Sequence, residues 1–123
     1  MSQEVAVRVA AYTPNVAIVT GAAKGIGRAI AVRLAEDGFD VTVNDVAEQA
    51  DKLDEVVATI RAKGRKALAV LGDVSVEDDV KQLVEKTVEE LGGVDVMVAN
   101  AGIAGGLSNT WESKLVHQRK TFA

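Results

Sequence analysis

Short apolar runs alternate with longer amphipathic runs along most of the chain, and this alternation is typical of β–α units that build a parallel sheet. The first apolar run, residues 16–20, is followed by glycine, as expected of a strand that is buried on both faces. Further short runs at residues 41–44, 67–71 and 94–99 have the same character. The pattern therefore predicts four strands.

The amphipathic segments between these runs have the spacing of helices. After Gly25, the apolar residues Ile26, Ile30 and Leu34 recur at steps of four, which predicts a first helix with these side chains on its buried face. Gly38 is expected to end this helix.

Two more helices are predicted in the same way. The second helix has its apolar stripe at Leu53, Val56, Val57 and Ile60. The third helix has its apolar stripe at Val80, Leu83, Val84, Val88 and Leu91. Gly64 and Gly92 are expected to close these helices, and Ser75 with Asp78 three residues later resembles a capping box at the start of the third.

Three parallel crossovers between four strands predict an α/β fold with one Rossmann-type sheet in the order 3-2-1-4 and helices on both faces. The sheet is truncated after about four strands, because the chain turns polar and loses its periodicity beyond residue 106. We therefore expect a half-domain at residues 16–106 and a polar tail at residues 107–123. Residues 1–15 form an N-terminal extension, in which alternating valines fit an additional edge strand and a loose terminus equally well.

Composition narrows the function classes. The 123 residues are 48% hydrophobic and 26% charged with a net charge of −4, which indicates one globular domain and argues against a nucleic-acid partner. Cysteine is absent, which excludes thiolate metal sites and a cysteine nucleophile. No targeting signal is visible, and no apolar run approaches the roughly 20 residues of a membrane-spanning helix. We expect a cytoplasmic protein without a membrane partner.

A glycine-rich segment lies where the first strand turns into the first helix. It consists of Thr20, Gly21, Ala22, Ala23, Lys24, Gly25, Ile26 and Gly27, with the spacing T-G-x-x-x-G-x-G. This spacing fits neither the P-loop nor the G-x-G-x-x-G motif. Backbone N–H groups at a helix N-terminus bind a pyrophosphate, so the segment predicts a nucleotide loop, although a tight turn alone would also use glycines.

The glycine pattern, opening a β–α–β unit, resembles the cofactor loop of the short-chain dehydrogenase/reductase family. Other motifs agree with that family: Asp45 at the end of the second strand, Asp73 and Val74 after the third, and Asn100, Ala101 and Gly102 after the fourth. The resemblance implies that Asp45 binds the adenosine ribose and that Asp73 and Val74 contact adenine. Asp73, and Asp95 before the fourth strand, fit a turn or capping role equally well.

The resemblance implies a nicotinamide dinucleotide as cofactor and partner. NAD is expected in preference to NADP, because the carboxylate of Asp45 would repel a 2′-phosphate and hydrogen-bond the free ribose diol. Lys24 would attract that phosphate, so NADP remains possible. Asp45 as a simple turn residue at the strand end is the alternative.

The family transfers hydride between a nicotinamide and an alcohol or ketone by means of a Ser and a Tyr-x-x-x-Lys pair. The single tyrosine, Tyr12, precedes the first strand and is followed four residues later by Val16. The resemblance therefore covers about the first half of a family domain, and we expect this chain alone to be inactive. A non-catalytic dinucleotide-binding module, or a truncated product without activity, is the alternative.

The fourth strand would border an open sheet edge. Its apolar residues Val94, Val96 and Val98 would then lie beside surface that a further strand and helix normally cover. This predicts self-association or a homo-oligomer.

Overall fold

The computed structural model of the protein describes residues 15–100. In chain order, its elements are β1 (Val16–Thr20), α1 (Gly25–Glu36), β2 (Asp40–Asp45), a short 3-10 turn (Ala47–Gln49), α2 (Ala50–Ala62), β3 (Ala67–Leu71), α3 (Glu77–Leu91) and β4 (Val96–Val98). Each strand is therefore joined to the next by a helix, which gives the predicted α/β fold.

The four strands form one parallel sheet in the order β3-β2-β1-β4, which confirms the predicted order. Ile18, in the middle of β1, lies opposite Thr42 on one side and Met97 on the other. The bounds of β1 and β3 agree with the prediction. Strand β2 is longer by one residue at each end, since Asp40 and Asp45 both belong to it, and β4 is limited to Val96–Val98.

Helices cover both faces of this sheet. On one face, Val19, Val41 and Val43 pack with α1 and α2 in the main apolar cluster, to which α2 contributes its buried stripe, Leu53, Val56, Val57 and Ile60. On the opposite face, Ile18 and Val70 pack with Leu83 of α3. Because successive strand residues point to opposite faces, β1 supplies both clusters from a run that is buried throughout.

A polar pair lies within the α3 face of the core. Thr42 of β2 and Thr87 of α3 are both fully buried, and their hydroxyl oxygens are 2.9 Å apart. The Thr87 hydroxyl is also 2.8 Å from the carbonyl oxygen of Leu83. The hydrogen bonds satisfy two hydroxyls that would otherwise be costly to bury, and they fix α3 against the middle of β2.

The prediction that Ile26 faces the sheet is wrong, because its side chain is 72% exposed. The residues of α1 that are buried are small: Gly27, Ala31 and Ala35. Small residues let α1 approach the sheet closely, so its contact face is rotated away from the large apolar residues. Ile30 and Leu34 lie at the flank of the main cluster and are only partly buried.

Val88 was also expected on the buried stripe of its helix, but it is 48% exposed. The buried residues of α3 are Leu83 and Thr87, one turn apart, and Val84 is only partly buried against the same cluster. A polar residue, Thr87, therefore takes a core position that an apolar pattern assigned to Val88. The hydrogen bond with Thr42 explains why threonine is tolerated there.

The capping box predicted from Ser75 and Asp78 is also wrong. Helix α3 begins at Glu77 with Val76 as its N-cap residue, which makes no side-chain capping bond. The hydroxyl of Ser75 instead donates to the carboxylate of Asp73. The side chain that reaches back from the first turn of α3 is that of Asp79, which accepts a hydrogen bond from the backbone N–H of Asp73.

The helices end close to the predicted glycines. Glu36, Ala62 and Leu91 are the last residues of α1, α2 and α3, and each is within two residues of a glycine that the sequence marked as a helix end. Across residues 15–100, no helix is long and apolar enough to span a membrane.

Candidate dinucleotide-binding site

The predicted site residues collect at one edge of the sheet. Thr20, Asp45, Leu71 and Val98 are the last residues of the four strands, and all four strands are parallel. The loops that follow them therefore meet at the carboxyl edge, which is where ligands bind in open α/β sheets.

The loop between β1 and α1 needs glycine at two positions. Gly21 and Gly25 have φ angles of 63° and 62°, in the left-handed region that favours glycine. A Cβ atom added at Gly25 would have no neighbour within 4 Å, so the backbone there is open to an approaching group. The side chain of Lys24, between them, is exposed.

The third glycine of the loop has a different role. A Cβ atom at Gly27 would lie 2.1 Å from the carbonyl oxygen of Gly21 and 2.6 Å from Nδ2 of Asn100. Both distances are too short for real atoms. Gly27 is therefore required so that the first turn of α1 can pack against the start of the loop.

Asn100 joins the end of β4 to this loop. Its backbone N–H donates to Oγ1 of Thr20 at 3.0 Å, and its side-chain Nδ2 donates to the carbonyl oxygen of Gly21 at 3.1 Å. Thr20 is buried, so these bonds form a polar connection beneath the loop. Ala101 and Gly102, which the sequence also places in the site, lie outside the described residues.

The N-terminus of α1 suits an anion. Its first turn has no acidic residue, and its N-cap residue, Lys24, makes no side-chain capping bond. Helices α2 and α3 differ, because the first turn of α2 contains Asp51 and that of α3 contains Glu77, Asp78 and Asp79. Uncapped N–H groups and the positive end of the helix dipole attract a phosphate, and no carboxylate of α1 opposes it.

Asp45 lies directly beside the loop. Its Oδ2 accepts a hydrogen bond from the backbone N–H of Ala23 at 3.0 Å, and its Oδ1 accepts one from Val46 at 2.9 Å. Its carboxylate is therefore held at the end of β2, facing the residue that precedes Lys24. This position puts a negative charge next to any group that binds along the loop.

The turn between β3 and α3 is fixed to the end of β2. The backbone N–H of Gly72 donates to the carbonyl oxygen of Asp45 at 3.0 Å, and Nδ2 of Asn44 donates to the carbonyl oxygens of Val70 and Gly72 at 3.0 and 3.3 Å. Asp73 and Val74 follow at once, so the turn that carries them is adjacent to Asp45.

Within that turn, Asp73 has the local bonding that a turn residue would have. Its Oδ1 accepts hydrogen bonds from the backbone N–H of Ser75 at 2.8 Å and from its hydroxyl at 2.6 Å. The carboxylate thus organises its own turn, whatever else it contacts.

Asp95 caps backbone N–H groups of a neighbouring strand. Its Oδ2 accepts hydrogen bonds from the backbone N–H groups of Asn15 and Val16, both at 3.0 Å. Both groups are at the start of β1, so Asp95 lies at the amino edge of the sheet, across from the glycine loop. The carboxylate ties β1 to the start of β4.

These features agree with a comparison of the chain with known families. The model of the short chain dehydrogenase family matches residues 15–122. The chain belongs to this family. The match includes the glycine loop, the end of β2, the turn after β3 and the residues after β4.

Curated short-chain dehydrogenases give high identities over the same region. A short-chain dehydrogenase/reductase, eriH, of Hericium erinaceus is 66% identical over 91 residues, which are 72% of this chain and 36% of that protein. A cis-4-hydroxycyclohexanecarboxylate dehydrogenase of Sinomonas cyclohexanicum is 50% identical over 94 residues, which are 76% of this chain and 36% of that protein. The chain thus spans about a third of the length of these relatives.

Solved structures of the family share the fold. A carveol dehydrogenase of Mycobacterium avium in complex with NAD is 34% identical with a TM-score of 0.68, over 74% of this chain and 36% of that one. A blue fluorescent protein from a metagenomic library, in complex with NADPH, is 42% identical with a TM-score of 0.65, over 68% and 34%. Structures similar to this chain therefore bind NAD in one case and NADPH in another.

Apolar side chains at the carboxyl edge were missed by the sequence analysis. Val46, Leu71 and Val76 are exposed, and each lies at a strand end or in the turn that follows it. Hydrophobic periodicity does not single out these residues. They could have been found by their position, since each is an apolar residue at the end of a predicted strand or in the loop after it. Ile26, which the sequence does place in the site, is also exposed, at the start of α1.

Proposed function

We propose that the chain binds a nicotinamide dinucleotide across the carboxyl edge of its sheet, as the cofactor-binding part of an oxidoreductase. The observation that carries the proposal is the open, glycine-rich entry into α1, an N-terminus without a side-chain cap or acidic residue. Membership of the short-chain dehydrogenase family and the NAD- and NADPH-bound structures of similar proteins support it. The bound nicotinamide would supply the hydride acceptor or donor.

The donor set at the edge fits such a molecule. In this proposal, backbone N–H groups of Gly25, Ile26 and Gly27 bind the pyrophosphate, and the open space at Gly25 permits the approach. The remaining loop residues of the site are Thr20, Gly21 and Lys24, of which Thr20 and Gly21 are held by Asn100.

The adenosine end would lie between the ends of β2 and β3. Asp45 would bind the ribose hydroxyls, and Asp73 and Val74 would contact the adenine ring. The exposed apolar side chains of Val46 and Leu71 at this edge support the assignment, since an adenine ring would cover apolar surface that is otherwise left in water.

We propose NAD as the preferred cofactor. The carboxylate of Asp45, fixed at 3.0 Å from the Ala23 N–H, would repel the 2′-phosphate of NADP and accept hydrogen bonds from the free diol of NAD. Lys24 is exposed in the same loop, and its positive charge would attract the 2′-phosphate of NADP and so oppose this preference.

Calorimetric titration of the 123-residue chain with NADH and with NADPH, at one salt concentration, tests both parts of the proposal. We expect saturable binding of both and tighter binding of NADH. Binding of neither dinucleotide would contradict the proposed cofactor site. Tighter binding of NADPH would contradict only the proposed role of Asp45 and would leave the site itself standing.

Hydride transfer between an alcohol and a ketone is the reaction proposed for the whole oxidoreductase. The 123 residues contain one tyrosine, Tyr12, without a lysine four residues later, so we propose that they bind cofactor without turnover. This same observation favours the second candidate, a non-catalytic dinucleotide-binding module. Saturable NADH binding with no oxidation of NADH in the presence of ketones would agree with both candidates. Oxidation of NADH by this chain would exclude the non-catalytic module.

We also propose that the chain self-associates through the outer edge of β4. Strand β4 ends the described sheet, and its residues are only partly buried. Light scattering tests this, and a compact monomer at high concentration would contradict it. A cytoplasmic location stays a prediction from the sequence.

A further inference from the structure

The turn between β3 and α3 is held from two sides. From the β2 side, Asn44 and the carbonyl oxygen of Asp45 bond to Gly72. From the helix side, Oδ2 of Asp79 accepts a hydrogen bond from the backbone N–H of Asp73 at 2.9 Å. Asp79 is the third residue of α3 and reaches back across six positions to the residue that follows the strand.

The chain leaves room for this contact. A Cβ atom at Gly72 would lie 3.2 Å from Cβ of Asp79 and 3.5 Å from its Oδ2. A side chain at position 72 would therefore crowd Cβ of Asp79, whose carboxylate bonds to the Asp73 N–H. The absence of a side chain at Gly72 therefore lets Asp79 lie close enough to bond to Asp73.

The bond between the Asp73 N–H and Oδ2 of Asp79 fixes the backbone that carries the side chains of Asp73 and Val74. Asp73 uses Oδ1 to bind Ser75, so its own side chain shapes the far half of the turn. Asp79 fixes the near half at the N–H of Asp73. Without Asp79, the turn would keep its β2 contacts and the bond from the Val76 N–H to the Asp73 carbonyl oxygen, but the Asp73 N–H would lose its bond to α3.

We propose that Asp79 is a positioning residue for the adenine end of the dinucleotide site. It acts through the Asp73 N–H and does not itself contact the nucleotide, and the inference rests on the proposed function. Asp78 provides a matched control, because it carries the same charge in the same first turn but is exposed on the surface.

The sign of the effect separates positioning from simple charge. Removing a negative charge near an anionic nucleotide should strengthen binding slightly, for Asp78 and Asp79 alike. Loss of the positioning bond should instead weaken binding. We expect Asp79→Ala to raise the Kd for AMP and for NADH by about tenfold, and Asp78→Ala to leave both within about twofold of the original chain.

Calorimetric titration of the full chain gives both Kd and stoichiometry, and these distinguish positioning from partial unfolding. A misplaced turn raises Kd at unchanged stoichiometry, whereas a partly unfolded sample lowers the stoichiometry of a site with normal Kd. Asp79→Asn keeps an acceptor oxygen for the Asp73 N–H, so it should restore most of the affinity. Gly72→Ala should weaken binding in the same direction as Asp79→Ala, without any change of charge.

The outcomes are distinct. If the original chain binds AMP and NADH and Asp79→Ala binds them equally well at full stoichiometry, the positioning role is overturned while the cofactor site stands. If Asp79→Ala does not fold, a normal Kd for Gly72→Ala overturns it in the same way. If the original chain binds neither nucleotide, the proposed function fails and this inference fails with it.

Discussion

The side-chain amide of Asn100 occupies the space that any side chain at Gly27 would need. A Cβ at Gly27 would lie 2.6 Å from Asn100 Nδ2, and the same amide donates to the carbonyl oxygen of Gly21. Two motifs that are more than 70 residues apart in the sequence are thus one packing unit in the structure. The glycine at position 27 and the asparagine at position 100 depend on each other for shape before any ligand is considered.

Gly27→Ala should therefore destabilise the protein strongly. The new Cβ would be 2.1 Å from the backbone oxygen of Gly21, which cannot move without displacing the loop. We expect a loss of about 2–4 kcal/mol in the free energy of unfolding, measured by urea denaturation. Gly93→Ala is the matched control, because a Cβ there meets nothing within 4 Å, and it should change stability by less than about 1 kcal/mol. Equal effects of the two substitutions would contradict the packing role.

Asn100→Ala tests the other half of the same unit. The substitution removes the bond from Nδ2 to Gly21 but keeps the backbone bond to Thr20. We expect a smaller loss, about 1–2 kcal/mol of unfolding free energy. In the Asn100→Ala background, Gly27→Ala should cost less than it does alone, since one of its two close contacts is gone. Strict additivity in this double-mutant cycle would show that the two residues act independently.

The strands were predictable because their signal is local and strong. The run from Val16 to Thr20 is buried at every position, so a continuous apolar run and a following glycine define it from the sequence alone. The order of the strands followed from the Rossmann-type, doubly wound sheet that the alternation of strands and helices predicts. Strands of this kind can be predicted without knowing which elements pack against them.

The helix faces were less predictable, because they depend on the partner surface. Ile26 has an apolar side chain at the expected spacing, but α1 contacts the sheet through Gly27 and alanines, and spacing does not report how close two elements come. The capping box predicted at the start of α3 was wrong for a related reason. Ser75 matches a capping pattern, but Asp73 holds its hydroxyl and Asp79 provides the contact back to the turn.

The site residues were predictable as a group and not in their individual contacts. Glycine spacing located the loop, and strand ends located Asp45 and Asn100. That Asp45 bonds to Ala23, or that Asn100 lies against Gly27, depends on tertiary distances that no local pattern encodes.

Asp45 is the position at which cofactor preference should be changed most directly. Asp45→Ser removes the charge that we propose repels the 2′-phosphate and keeps a small polar side chain near the Ala23 N–H. We expect the ratio of the NADPH Kd to the NADH Kd to fall by about tenfold or more, measured by titration at one ionic strength. Asp37→Ser is the control, since it removes the same charge from an exposed ion pair with Arg33 at the C-terminus of α1. A similar shift in both variants would assign the effect to net charge, and no shift in Asp45→Ser would contradict its proposed role.

The buried hydroxyl pair of Thr42 and Thr87 offers a test of the core that is independent of any cofactor. Thr87→Val keeps the volume but leaves the Thr42 hydroxyl, which is fully buried, without its 2.9 Å partner. We expect this to cost about 1–3 kcal/mol of unfolding free energy, because a buried polar group without a hydrogen bond bears its whole desolvation penalty. Changing both residues to valine removes the unpaired hydroxyl, so the double variant should lose less than the sum of the two single variants.

Thr59→Val on α2 is the control, because its hydroxyl bonds to Glu55 at an exposed position, and it should change stability by less than about 0.5 kcal/mol. If the losses of the two single variants simply add, the hydroxyls do not depend on each other, and α3 is held on the sheet by its apolar contacts alone.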